Sequence, residues 1–161
     1  MKSMVHLVYC DNAGKLGERV LDKILSGTKT MIVRGAAGRK IPHSRVHEGE
    51  SIYFMEKGSA LITALAKVKT VQNYVKLTED EIIKTLSDNQ SKLNLTEKQK
   101  ERWRKKCLCL VEFEDVQRID PPLAFDHQGN MDDWLIIDKI EDVVVGTSIP
   151  FNYEKSKFRE K

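Results

Sequence analysis

At 161 residues, with 40% hydrophobic and 32% charged content, the chain has the size of one domain with its own core. Its 27 basic and 24 acidic side chains leave a net charge of +3, which permits nucleic-acid binding through a local patch without demanding it. No apolar run approaches the ~20 residues that cross a bilayer, and Cys10-Asp11-Asn12 interrupts the apolar start where a secretory leader would continue, so no membrane contact and a cytoplasmic location are expected.

In chain order, Val5–Cys10 reads as a strand. Glu18–Leu25 reads as a short amphipathic helix with Val20, Leu21, Ile24 and Leu25 on one face. Gly27 stands where a helix C-terminus takes a left-handed residue. A β-prone run, Thr28–Val33, follows. Gly35 to His47 reads as a loop carrying Arg39, Lys40 and Arg45. Ser51–Glu56 and the long run Ala60–Val71 read as strands joined by a Lys57-Gly58 turn. Ala60, Ile62, Ala64, Ala66 and Val68 alternate onto one face of the long strand, and small residues there suit a tightly curved sheet.

Two capping boxes, Thr78-x-x-Glu81 and Thr96-x-x-Gln99, open two helices. The polar stretch Ser87–Asn94 connects them. Cys107–Phe113 reads as a strong strand, ended by acidic residues and by Pro121-Pro122. Trp134–Ile137 and Asp142–Val145 read as short strands, and a charged tail frays over Lys155–Lys161. Helices do not alternate regularly with strands, so a doubly wound sheet is excluded in favour of the α+β class, a small and mostly antiparallel barrel with inserted helices. Residues 1–145 make the expected domain and 146–161 the tail.

Two cations flank the second strand. Ser26–Gly35 reads S-G-T-K-T-M-I-V-R-G, which puts Lys29 just after Gly27 and Arg34 at the strand's end, and a phosphate is the natural partner of such a pair. Lys29 and Arg34 are five apart, so a regular strand sends them to opposite faces. They converge only if Lys29 precedes the strand proper or sits at a bulge. A second basic run, Lys98–Lys106, has six cations among nine residues around Trp103. It is either a phosphate-tracking helix with a stacking aromatic or a solvated face with Trp103 packed inward.

Cys10, Cys107 and Cys109 read as reduced thiols, because two cysteines two apart on a strand are roughly 6.6 Å apart and poorly placed to bridge. His43 and His47 are four apart, but Pro42 and Gly49 argue for loop and no third ligand is fixed nearby, so no metal site is expected. His6 and His127 have no evident partner, and Trp134 defaults to the core. Gly14-x-x-Gly17 is too sparse for a phosphate loop, and no cofactor is expected.

The helix leading into S-G-T-K-T-M-I-V-R resembles the signature of ASCH domains, within the PUA-like superfamily. Glu48–Phe54 followed by Ile62–Val68 resembles the family's glycine-acid turn, strand and returning strand, and Cys109–Pro122 is similar to the strand and exit of PUA-like proteins. The resemblance spans Val5–Val145. It implies a PUA-like β-barrel with helices packed at its openings, and RNA or a modified nucleoside or nucleotide bound in a basic cleft beside the signature.

Gly27, Lys29 and Arg34 match the family pattern, whereas the acid usual three residues after the lysine is Ile32 here. Small ASCH amidohydrolases acting on acetylated cytidine place a threonine there, so Ile32 removes the expected nucleophile. The resemblance thus favours a binding module. Lys29 and Arg34 would contact phosphate or base edges, with Arg39, Lys40, Trp103 and Arg104 as secondary contacts and Gly27 as the structural mark of the signature. The alternative is a hydrolase acting on a modified nucleoside or on RNA. A third reading is a protein-interaction module using residues 98–106.

Overall fold

The computed structural model describes residues 4–126 and 133–149; His127 and the tail from 150 onward lie outside them. Among the described residues six strands are present: β1 (Val5–Cys10), β2 (Met31–Ala36), β3 (Ser51–Glu56), β4 (Leu61–Tyr74), β5 (Cys107–Ala124) and β6 (Trp134–Ile137). They form one sheet in the order β2-β5-β4-β3-β1-β6. The β1–β3 pairing is parallel and the others are antiparallel. The sheet curls into a half-barrel, an α+β architecture with four helices: α1 (Val20–Ser26), α2 (Glu79–Asp88), α3 (Gln90–Leu93) and α4 (Glu97–Arg102).

Strand alternation sorts the core. Val8 and Cys10 of β1, Ile32 of β2, Ile52 and Phe54 of β3, Ala64, Ala66 and Val68 of β4, and Cys109, Val111 and Phe113 of β5 share one buried cluster. Leu21 and Ile24 of α1 join it. Burying each such side chain is worth ~1.5–3 kcal/mol, which holds a helix too short to persist alone. Two further clusters cover the opposite face. Met31, Val33, Leu108 and Leu110 pack against Ile82, Leu86, Leu93 and Leu95 from the helical region. Leu7, Met55, Leu135 and Ile137 pack against Ile140 and Val143.

Both capping boxes form: Thr78 Oγ1 accepts from Glu81 N, and Thr96 Oγ1 from Gln99 N, each at 3.2 Å. Gly27 ends α1 at φ +83°, the left-handed cap that only glycine adopts without strain.

Several elements differ from the sequence reading. The strand from Cys107 does not stop near Phe113 but runs to Ala124, through Pro121-Pro122. β2 covers only Cys107–Glu112 of it, so the prolines fall where β5 has β4 on one side and an open edge on the other. Ser87–Asn94 is not a plain connector, since α2 continues to Asp88 and α3 follows. Asp142–Val145 is not a strand: Ile140–Val143 is a 3₁₀ turn, followed by a single bridge from Val144 to Phe125. The basic helix ends at Arg102, with Trp103 as its cap. Ala60 is exposed at φ +55° and belongs to the turn, while Ile62 through Val68 keep the expected buried alternation.

Candidate functional site

The left-handed Gly27 turn carries the chain from α1 back toward the sheet, where Lys29 N donates to Lys23 O at 3.0 Å. Lys29 therefore precedes β2, and Lys29 and Arg34 are not held to the opposite-face rule of one regular strand. Both line one cavity of about 60 Å³, with Tyr9, Ile32, Trp103 and Asp133 among its walls.

Lys29 is 4% exposed. Its Nζ donates to Leu93 O, a carbonyl at the end of α3 where helical partners have run out. Lys23 Nζ donates to the next carbonyl, Asn94 O, at 3.1 Å. Burial first, and the Arg34 charge beside it second, lower the Lys29 ammonium from 10.5 to about 7.

Arg34 bridges the seam between β2, one end of the sheet, and β1, the neighbour of β6 at its other end. Its Nη1 donates to Val33 O at 2.9 Å and its Nη2 to Tyr9 O of β1 at 3.0 Å. Trp103 and Trp134 stand 5.3 and 5.9 Å from the guanidinium carbon, within cation–π range. Its Nε is sealed from solvent without a hydrogen-bond partner. Burial lowers the guanidinium's pKa. The nearest thiols do not supply a counter-charge, because burial pushes Cys10 and Cys109 up to about 12 and keeps them neutral.

The carboxylates of the cleft lie nearer its rim. Asp133 pairs with Arg102 at 3.6 Å and is 42% exposed at its side chain. Asp11 is half-buried, and Lys57 and Arg102 are exposed at the mouth. Ile32 is 2% exposed, packed in the core on one side and lining the cleft on the other.

The structure brings Lys29, Arg34 and Trp103 together and leaves Arg39, Lys40 and Arg104 outside the cavity walls. Arg39 and Lys40 are exposed on the loop after β2. Arg104 is engaged by Glu79 and by Glu101, the latter at 3.2 Å. Trp103 is half-buried, packed on the helical cluster while Arg102 stacks on it at 4.8 Å, so both its inward packing and its cleft exposure are real.

His43 Nε2 meets Tyr74 O at 3.0 Å while His47 is exposed, and among the described residues no cluster of three His, Cys, Asp or Glu could hold a metal. Among these residues, too, no helix is long and apolar enough to cross a membrane.

His6, which shows no partner in sequence, sits in a buried relay. Trp134 Nε1 donates to His6 Nδ1 at 3.0 Å, which leaves His6 Nε2–H to donate to Glu50 Oε1 at 2.8 Å. Glu50 also accepts from Met4 N and His47 N, each at 2.8 Å. Burial raises the Glu50 pKa, but these hydrogen bonds outweigh it and the carboxyl ends below its ordinary value. Trp134 is fixed behind Arg34 by this relay, and no local spacing reveals it.

No family model matches the sequence, and no curated protein matches it. Solved structures do. The crystal structure of ASCH from Zymomonas mobilis superposes at a TM-score of 0.59 with 15% identity, over 86% of this chain and 90% of that one. Two point mutants of the same ZmASCH match at 0.58 and 0.57, with 16% and 15% identity, over 84% and 81% of this chain and 89% and 86% of theirs. At such identity the likeness speaks for the backbone alone: the chain has an ASCH-type α+β fold.

Proposed function

We propose that this cleft binds RNA or a modified nucleoside or nucleotide. The observation that supports the reading is the meeting of Lys29 and Arg34 in one cavity beside the Trp103 ring, whose lining carboxylates among the described residues, Asp11 and Asp133, lie toward the rim. Such a pocket favours an anion and offers an aromatic face to a base. Exposed Lys57 and Arg102 extend the positive charge outward. A PUA-like fold is compatible with an RNA ligand. The test is equilibrium binding of single-stranded RNA over a series of salt concentrations. Affinity is expected to fall as salt rises, and Lys29→Met is expected to weaken it while the variant remains folded at the temperature of the assay. Binding that ignores both salt and this substitution refutes the proposal.

A hydrolytic reading has one observation in its favour: an amine near pKa 7 suits a general base. The hydrogen bond from Nζ goes to a backbone carbonyl, however, and Ile32 offers no nucleophile. Incubation with acetylated cytidine and with RNA separates the readings, because a binder releases no product.

A further inference from the structure

The cavity is too small for a whole nucleotide. Its volume of about 60 Å³ falls well short of the ~300–1,000 Å³ of pockets that enclose a drug-sized ligand. It is the size of one compact group with a handful of heavy atoms. Lys29, at 4% exposure, is reached only by something that projects from its carrier.

The charges define the group further. Arg34 puts a standing positive charge at one wall, and Lys29 adds a second when it is protonated. The groups that act on the Lys29 amine are Arg34 from β2, Cys10 from β1 and Lys23 from α1, and no carboxylate is among them. Around the mouth stand Asp11, Lys57, Arg102 and Asp133, the last pairing with Arg102 and acting on the Arg34 guanidinium as well. Arg34 keeps one buried donor, Nε–H, without a partner. Like charges packed together, with a donor left over, are matched by a ligand carrying two negative charges and several acceptor oxygens.

Resting on the reading of the cleft as an RNA or nucleotide site, we propose that its innermost ligand group is a monoester phosphate, such as the phosphorylated end of an RNA strand or the phosphate of a free mononucleotide. A monoester is a dianion near neutral pH, because its second pKa is about 6. An internal phosphodiester carries one charge, which Arg34 alone matches, so it draws less of a proton onto Lys29. It also lies along the strand instead of projecting from it. Lys29 Nζ donates to a phosphate oxygen beside the positive charge of the Arg34 guanidinium, and the Trp103 and Trp134 rings on that guanidinium restrict water there. A dianion against Lys29 restores its proton, so binding takes up hydrogen ions at pH 7.5, where free Lys29 is mostly neutral.

Isothermal titration calorimetry tests this with unlabelled probes: one short RNA bearing a 5′-phosphate, the same RNA with a 3′-phosphate, the same RNA with hydroxyl ends, and a nucleoside monophosphate. At least one phosphate-ended form is expected to bind about tenfold or more tighter than the hydroxyl-ended form. In Lys29→Met that difference is expected to vanish. The heat at pH 7.5 is expected to vary with buffer ionisation enthalpy for wild type only.

Equal affinity for phosphate and hydroxyl ends overturns the monoester assignment and leaves RNA binding standing. Binding of the mononucleotide without any RNA supports the phosphate assignment and removes the polymer reading. No binding of any probe overturns both. The comparison of strand ends needs only wild-type protein, so it stands even where the variant folds poorly.

Discussion

Lys29 is the most direct place to test the electrostatics of the cleft, through Lys29→Met. The substitution keeps an unbranched side chain of similar length and removes the charge. In the unfolded chain the amine titrates near 10.5, and in the folded protein near 7. Between those values the unfolded state binds more protons, so stability rises with pH across that window and is lost as pH falls toward 7. A full proton difference is worth ~1.4 kcal/mol per pH unit. Half of the Lys29 population is already neutral at pH 7, so from pH 7 to 8.5 the wild-type gain from this residue is about 1.5 kcal/mol.

The buried thiols work the other way. Cys10 and Cys109 are held up near 12, against 9.0 unfolded, so their contribution declines as the unfolded thiols ionise. The informative quantity is therefore the difference between wild type and variant at each pH. Urea unfolding measures it: with a slope of ~2 kcal/mol per molar, the wild-type midpoint is expected to gain about 0.7 M on the variant from pH 7 to 8.5. Parallel pH profiles for the two proteins would refute the account of Lys29 as a buried ammonium held beside Arg34.

Arg34→Ala is expected to lower stability by about 2–4 kcal/mol in thermal or urea unfolding, because it strips the donors from Val33 O and Tyr9 O at the seam. A stable variant would show that the seam closes without it. Glu50→Gln is expected to cost about 2 kcal/mol at pH 7, since it weakens three hydrogen bonds in a buried site. The Glu50 pKa is depressed on folding, so its stabilisation is complete above the ordinary 4.5 and fades as pH falls through the lower folded value. The glutamine variant is expected to lose less stability over that acid range in a urea series. Gly35→Ala is expected to cost about 1–3 kcal/mol in the same assay, because a Cβ there would stand 2.7 Å from Leu108 Cδ2 and 3.0 Å from Cys107 O.

The local devices of the fold are legible in the sequence. Thr78 and Thr96 cap their helices through side chains three residues away, and the buried alternation of Ile62–Val68 is carried by a period of two. Gly27 is read the same way, whereas the strand read from Thr28 begins only at Met31, which leaves Lys29 ahead of it. What escapes is set by partners far along the chain. β5 continues through two prolines because β2 is too short to cover them, a fact about β2 and not about the prolines. Asp142–Val145 has strand composition but only one bridge to pair with. The His6–Glu50–Trp134 relay joins residues from three regions, and its hydrogen bonds are invisible to any local pattern. Arg104 reads as a free cation until Glu79, from another helix, is placed against it.

The position of β1 has a consequence for how the protein is made. It is made before every other strand of the sheet, yet it lies between β3 and β6, and β6 is made after all the others. Until Trp134–Ile137 has emerged, one backbone edge of β1 is unpaired and Leu7 lacks its cover from Leu135 and Ile137. A nascent or prematurely terminated chain thus presents an apolar strand edge that can recruit another polypeptide. Completion of the sheet is tied to completion of translation through at least residue 137.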